Sequence, residues 1–500
     1  MLLEELLSEH DFAKIRQHID NEKNRVSSDG FQDFIEQIAI YAVYHNDIDL
    51  LSFLAEYDLD VNYKNNYFSE EDILSTDLLG LAVKNNNLNM MTYLLNNGAN
   101  PNSINSGHSV LSHAVGKGFY EAAKLLIDRG ANINLAGQPS LLNMAIVKKN
   151  IDFAAYLIEK GIKVKQKGQA DPLLLAIDSS EEMTNLILES SYRFSSDCIE
   201  GDMPLEAFAM YENLPVHVFD KIIKKMSQEI DINYPIDFGL PALHRMVYSG
   251  NVAFINVLVK YGADIEKRIV KEQTRLLKDC TPLFVAVHLG KKQVVKCLIE
   301  LGADVNVASD KYSSPLVLAL TNGNEEVFSL LVESGADYTR PVKMLIEKDS
   351  IDVSPQKIEK NELYIIHHAA QTDKTGMIRA LLEAGDDINK RCESQDSLYN
   401  GATPLILAAS QGALESVELL IENKADINTV NTEGYTALAH AALINDHDIV
   451  KSLIDAGANI DIRIKGKELI DYIKDKEMKV NLVERIRPHK NLLWKLKHII

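Results

Sequence analysis

The sequence predicts an all-α solenoid, a stack of about twelve helix pairs, from three observations that agree in register. An interval of 21 residues from a helix-capping slot to a glycine-like turn slot recurs eleven times. Alanine stands five residues after the cap in ten of those eleven units. The second half of each unit carries apolar residues at helical period, as in Val294, Val295, Leu298 and Ile299, and closes on a turn residue.

Each element follows from local chemistry. The capping slots are Gln37, Asp77, Ser109, Ser140, Asp171, Pro241, Thr281, Ser314, Tyr364, Thr403 and Thr436. A Ser, Thr or Asp there accepts a hydrogen bond from the free N–H groups of the first turn, and the proline of Thr281-Pro282, Ser314-Pro315 and Thr403-Pro404 loses no bond. Ala42, Ala82, Ala114, Ala145, Ala176, Ala286, Ala319, Ala369, Ala408 and Ala441 let a neighbouring helix approach closely, and Met246 interrupts the series. The turn slots are Asp58, Gly98, Gly130, Gly161, Tyr192, Gly262, Gly302, Gly335, Gly385, Lys424 and Gly457. Here the backbone turns left-handed to end the second helix.

The Thr-Pro-Leu entries, the phased alanines and exits such as Gly302-Ala303-Asp304-Val305-Asn306 resemble ankyrin repeats across about residues 31–462. The resemblance implies a curved stack of helix pairs with hairpin fingers on one side, and binding through the concave face and fingers without naming a partner. It divides the chain into an N-terminal helical cap (1–30), repeats 1–5 (31–202), an irregular repeat 6 (203–240), repeats 7–12 (241–462), and a C-terminal cap with a basic tail (463–500). It also places His244 and His367 in the slot where the ring hydrogen-bonds the cap. The windows Leu298–Asn306, Leu381–Asn389 and Leu420–Asn428 resemble the target of the asparaginyl hydroxylase that acts on such repeats, which marks Asn306, Asn389 and Asn428; the simpler reading is that they build the turn.

Composition restricts the function. A formal charge of −20 opposes nucleic acid as a partner and favours a protein with a basic surface. Cys198, Cys280, Cys297 and Cys392 lie in different units without metal-ligand spacing, which points to reduced thiols in the cytoplasm. No apolar run approaches the roughly 20 residues of a membrane span, and the start of the chain lacks the basic, apolar pattern of a signal peptide. No phosphate loop, metal motif or nucleophile turn is present, and no stretch outside the repeats is long enough for a catalytic domain, so the expectation is a monomeric, non-enzymatic module without cofactor.

The departures from regularity carry the functional expectations. The usual gap of 10 to 12 residues from turn slot to next cap grows to 19 after Asp58, 19 after Gly262, 29 after Gly335 and 18 after Gly385, which enlarges four fingers. Tyr63, Tyr67 and Phe68 on the first and Arg268 and Arg275 on the second are the expected hot spots. Residues 485–500 hold five basic residues, no acidic ones and the single Trp494, a capping helix or, alternatively, a docking or membrane-surface element. Residues 213–223, with Leu214-Pro215, faintly resemble the opening of an F-box; helix-start proline is the plainer reading. The leading expectation is a protein-protein interaction module. The alternative is a scaffold with one of these docking elements, including an effector-type member that an intracellular bacterium or virus delivers to the host cytosol.

Overall fold

The computed structural model describes residues 6–7, 9–68, 73–166, 168–194, 214–233, 240–269, 279–308, 314–342, 363–394, 399–464, 466–473, 476 and 479–480. The chain divides into two compact units, Met1–Cys198 and Ile199–Ile500. In the first, α1 (Phe12–Lys23) precedes the pairs α2 (Ser28–Tyr44) and α3 (Ile48–Leu54), α4 (Leu78–Lys84) and α5 (Leu88–Asn96), and α6 (Val110–Lys117) and α7 (Tyr120–Asp128). Two more pairs follow, α8 (Leu141–Val147) with α9 (Ile151–Glu159) and α10 (Pro172–Ser179) with α11 (Glu181–Glu189).

The second unit begins its described part with α12 (Val216–Ser227). The pairs α13 (Ala242–Ser249) and α14 (Val252–Lys260), α15 (Pro282–His288) and α16 (Lys292–Glu300), and α17 (Pro315–Thr321) and α18 (Glu325–Glu333) follow. It ends with α19 (Ile365–Gln371) and α20 (Thr375–Glu383), α21 (Pro404–Gln411) and α22 (Leu414–Glu422), and α23 (Ala437–Ile444) and α24 (His447–Asp455). Among the described residues strand forms three two-stranded antiparallel hairpins: β1 (Asn65–Phe68) with β2 (Ile73–Thr76), β3 (Ile104–Asn105) with β4 (His108–Ser109), and β5 (Arg463–Ile464) with β6 (Lys467–Glu468).

Ten of the eleven capping slots are helix N-caps, and eight of them accept a backbone N–H through the side chain, from Asp77 onto Gly80 N to Thr436 onto Ala439 N. Gln37 is not a cap. The apolar period of Phe31, Ile35 and Ile38 continues upstream, so α2 begins at Ser28, capped by Ser27, and Gln37 lies in its interior. Ten of the eleven turn slots have the left-handed backbone that favours glycine; Tyr192 does not, and its side chain is instead buried with its hydroxyl on Asp171 at 3.1 Å.

All ten phased alanines and Met246 are buried. The main-chain carbonyl of each accepts the N–H that opens the next helix, as in Asn87 N to Ala82 O at 3.0 Å and Lys291 N to Ala286 O at 3.0 Å. The slot therefore fixes the turn between the two helices as well as the approach of the next pair. The second helices bring their own caps, which the sequence reading left out: Asp47, Asn87, Asn150, Ser180, Asn251, Asn324 and Asp446.

Leu6, Leu7, Ile15 and Ile19 are buried in the N-terminal segment, and Leu469, Ile470 and Ile473 are buried after β6. The basic tail at 485–500, with Trp494, lies outside the described residues.

Two buried histidines join neighbours. His244 Nε2 meets Cys280 O at 3.2 Å and His367 Nε2 meets Lys390 O at 2.9 Å, each reaching the loop ahead of the next pair. His367 Nδ1 also accepts from the cap residue Tyr364 N at 3.3 Å. Burial pushes His244, His367 and adjacent His368 down to about 4, so they stay neutral in the folded chain.

Two outcomes follow from this packing. Ala286→Leu and Ala408→Leu each overpack a fully buried site and should cost roughly 1 to 3 kcal/mol, read as a lower thermal midpoint; unchanged melting in both would refute the stacking role. Because the folded histidines are depressed, their stabilisation is complete above the unfolded value of about 6.5 and is lost as pH falls toward 4. At pH 5 each should cost the folded state about 2 kcal/mol, and His244→Gln should shrink the drop in melting temperature between pH 7 and pH 5.

Candidate functional site

The fingers are tied to one another before they can present anything. In most turns the residue four positions past the turn slot is an asparagine whose own N–H is held by the Asp or Asn two residues earlier, as in Asn306 N to Asp304 Oδ1 at 2.8 Å. Its side chain then bridges to the next turn. Asn62 Oδ1 accepts from Asn100 N at 2.7 Å, while Asn62 Nδ2 donates to Gly98 O at 3.0 Å. Asn102, Asn134 and Asn233 make the same two bonds onward. Glu266 substitutes in kind, its Oε1 taking Asp304 N at 2.7 Å.

Asn306, Asn389 and Asn428 are rungs of this ladder: their Oδ1 atoms accept from Asp337 N, Asp426 N and Asn459 N at 2.7, 2.8 and 2.8 Å. Two slots break it. Lys165 turns its ammonium to Asp171 at 3.1 Å, and Thr339 turns both its N–H and its hydroxyl back onto Asp337 Oδ1.

Each enlarged finger is pinched at its base. The first is the β1–β2 hairpin, with Tyr67 opposite Leu74 and Phe68 opposite Ile73. The second closes through Ile269 N to Cys280 O and Asp279 N to Ile269 O, the third through Val342 N to Leu363 O, and the fourth through Cys392 N to Ala402 O. Three of the four also carry a cation six positions past the turn slot that donates to a carbonyl at the same position of the following finger. Lys64 Nζ reaches Ile104 O at 2.9 Å, Arg268 Nη2 reaches Ala308 O at 2.9 Å, and Arg391 Nη1 reaches Val430 O at 3.0 Å.

Arg268 thus forms a clasp in the folded chain, and its other terminal nitrogen is paired with Asp279 Oδ2 at 2.8 Å. Arg275 lies outside the described residues, as does Trp494. The F-box-like segment begins as helix start, with Pro215 at the N-cap of α12. Its Val218, Phe219, Ile222 and Ile223 are buried, and the Phe219 ring stacks on Phe254 of α14 at 3.9 Å, so the side chains that a docking role would use are spent on packing.

Tyr63 is the predicted residue that the fold brings to a recess. A cleft of about 390 Å³ opens where α2, α4 and α6 meet the first two fingers. Ile40, Tyr44, Leu81 and Val110 give it apolar wall, and Tyr63, Asp60, Asp77, Asn105, Lys84, His108 and His113 give it polar wall. Asn105 reaches across from β3 so that its Nδ2 donates to Asp77 Oδ1 at 3.0 Å, beside Gly80 N donating to the same atom at 2.7 Å. Only glycine allows that crossing: a Cβ at Gly80 would stand 2.1 Å from Asn105 Nδ2.

Glu36 lines this cleft while only 3% exposed. Its Oε2, together with Asn105 Oδ1 and His113 Nε2, has no hydrogen-bond partner among the described residues. Burial pushes the Glu36 carboxyl up to about 7, with Asp33 and Asp60 adding to the rise and hydrogen bonds from Tyr63 and Gln32 opposing it. Burial also holds His113 below its ordinary value, so its ring is neutral. Among the described residues no group of three or more His, Cys, Asp or Glu is placed to hold a metal ion, and no helix is long and apolar enough to cross a membrane.

Known proteins share this architecture. The family described as ankyrin repeats (3 copies) matches residues 39–137, 79–168, 243–342, 337–431 and 366–464. Rabankyrin-5 of Mus musculus is 29% identical over 110 residues, 21% of this chain and 9% of that protein. Protein phosphatase 1 regulatory subunit 27 of Mus musculus is 39% identical over 90 residues, 18% of this chain and 53% of that protein. The chain thus spans between a tenth and about half of these relatives. The crystal structure of the human ASB11 ankyrin repeat domain superposes on 49% of this chain and 96% of its own, with 22% identity and a TM-score of 0.35.

The cleft yields a stability signature. A carboxyl raised from its unfolded value stabilises fully only below that value, about 4.5, and loses its contribution as pH rises through 7. Glu36→Gln removes a charge that burial makes costly, so at pH 8 it should melt above the parent by the equivalent of about 1 to 3 kcal/mol, with the gap closing at pH 5. A variant less stable than the parent at both pH values would contradict that cost.

Proposed function

Because the chain belongs to the ankyrin-repeat family, we propose that it is a non-catalytic interaction protein that holds a protein partner through its concave face and enlarged fingers. Members of this family serve generally as protein-protein interaction modules, and one relative above is a regulatory subunit. The observation that carries the reading is the way all four long fingers are built. Each is closed at its base by backbone bonds, and three are clasped to the next finger by Lys64, Arg268 or Arg391. A loop held this way loses less freedom on binding than a free one, which favours its use as a contact surface.

The acidic balance of −20 supports a partner with a basic surface, recruited at a salt-sensitive rate. Tyr63 at the cleft, with Tyr67 and Phe68 on β1, is the first contact group in this reading, and Arg275 of the second finger the next. The protein acts as a cytoplasmic monomer, with no nucleic acid, cofactor or membrane span in its mechanism. Asn306, Asn389 and Asn428 serve as turn rungs, and incubation with an ankyrin asparaginyl hydroxylase should add no oxygen to the intact mass.

The test begins with affinity capture of a partner on the full chain. Residues 67–74 and 270–278 are then each replaced by a two-residue turn, which leaves Lys64 and Arg268 in place. Each change should weaken binding roughly tenfold or more, as expected for loss of a hot-spot cluster, while the melting temperature moves by no more than about 3 °C. Binding that survives both replacements and disappears on removal of 485–500 would overturn the finger reading in favour of the basic tail.

A further inference from the structure

Three polar atoms without partners share one cleft, and their chemistry specifies what would satisfy them. Glu36 Oε2 and Asn105 Oδ1 can only accept hydrogen bonds when the carboxyl is ionised, and the neutral His113 ring accepts at whichever nitrogen is unprotonated. Their three residues line the space between α2, α4, α6 and the first two fingers, within the first compact unit, with the atoms themselves just beneath its wall. Such atoms left dry are costly, and a burial of 97% places the Glu36 carboxylate where water serves it poorly.

The walls narrow the choice further. Asp60 and Asp77 line the cleft beside Glu36, and Asp33 lies close enough to raise its carboxyl, so the negative charge converges there. At one edge the Tyr44 ring stands 66% exposed, an aromatic face that a planar cation can cover. Ile40 and Leu81 supply an apolar wall for an alkyl stem.

We propose that this cleft is the anchor pocket for an arginine side chain of the protein partner, with its guanidinium on Glu36 and Asn105 and its plane against Tyr44. The inference rests on the interaction-module reading above and adds the chemical group that the partner must present. Guanidinium is favoured over ammonium because it offers five donors in a fixed plane, matches a carboxylate in a fork and stacks on an aromatic ring. The groups facing the site are Asp33 and Glu36 on α2, Asp60 and Tyr63 on the first finger, Asp77 and Lys84 on α4, His108 on β4 and His113 on α6. Only the ionised Glu36 receives the cation well, so binding expels the proton that the empty site holds.

Agmatine, a guanidinium on a four-carbon stem, is the probe, titrated calorimetrically into the full chain. Affinity should rise about tenfold from pH 6 to pH 8, as the ionised fraction of Glu36 climbs across its value of about 7. At pH 7 about half a proton should be released per agmatine bound, read from the dependence of the heat on buffer ionisation. Glu36→Gln should abolish the proton release and weaken binding at least tenfold, and Tyr44→Ala, a change at an exposed edge, should weaken it several-fold. A single-ended amine of the same length, n-butylamine, should bind more weakly than agmatine. Agmatine that fails to bind, binds equally to Glu36→Gln, or is outcompeted by n-butylamine overturns the arginine pocket. Such a failure leaves the finger reading intact, since that stands on partner capture and the two loop replacements.

Discussion

A side-chain amide at most of the turns sets the geometry on which much else in this protein depends. An asparagine such as Asn306 has its own N–H fixed by Asp304, which aims its side chain along the stack, where its oxygen takes Asp337 N and its nitrogen gives to Gly335 O. Each rung is an ordinary neutral hydrogen bond of about 1 kcal/mol, yet it fixes the separation of two turns to within a few tenths of an ångström. At that separation the first helices pack closely, with a buried alanine in ten of the eleven phased slots and a buried Met246 in the other. The long fingers inherit the same spacing, which is why Lys64, Arg268 and Arg391 find carbonyls at matching positions in the next finger.

Much of this was legible in the sequence because the signals are local and phased. A capping hydroxyl, a proline at the next position and an alanine five residues on each have a reason that lies within one turn of helix, so Thr281, Thr403 and Ala408 could be assigned from spacing alone. The reading failed where register was extended to positions that lack the chemistry. Gln37 was given a cap by counting, although its side chain is not one that caps well and the apolar period ran straight through it. Tyr192 was given a glycine's place, but a ring that can be buried against Asp171 removes the need for a left-handed turn.

The candidate site was legible only in part, for a related reason. Tyr63 stood out as an aromatic in an enlarged finger, whereas Glu36 carried no signal of its own: in a helix that started at Gln37 it would have been a loop carboxylate in water. The longer α2 instead turns it inward. Gly80 and Asn105 were silent for a different reason, since the contact that needs them joins two repeats and only the folded chain brings it about. The ladder itself has a visible trace in the sequence, an Asp-x-Asn or Asn-x-Asn recurring at the turn, of which Asn306, Asn389 and Asn428 are three instances.

Thr339 gives the second unit a seam. Its hydroxyl is folded back on Asp337, and in the next turn Asp387 N is taken by Asp386, so the amide rung is absent here and the Tyr338 hydroxyl, donating to Ala384 O at 2.7 Å, joins the two turns instead. A linear array communicates only through adjacent interfaces, and its cooperativity is limited by the least-bonded one. Amide hydrogen exchange on the two sides of this seam tests whether one hydroxyl couples the blocks as an amide rung does: one block holds the rungs at Asn233, Glu266 and Asn306, the other those at Asn389 and Asn428. The longest interval from turn slot to next cap falls at this same joint, so the place where a hydroxyl replaces the amide rung is also the place where the chain carries its largest insertion.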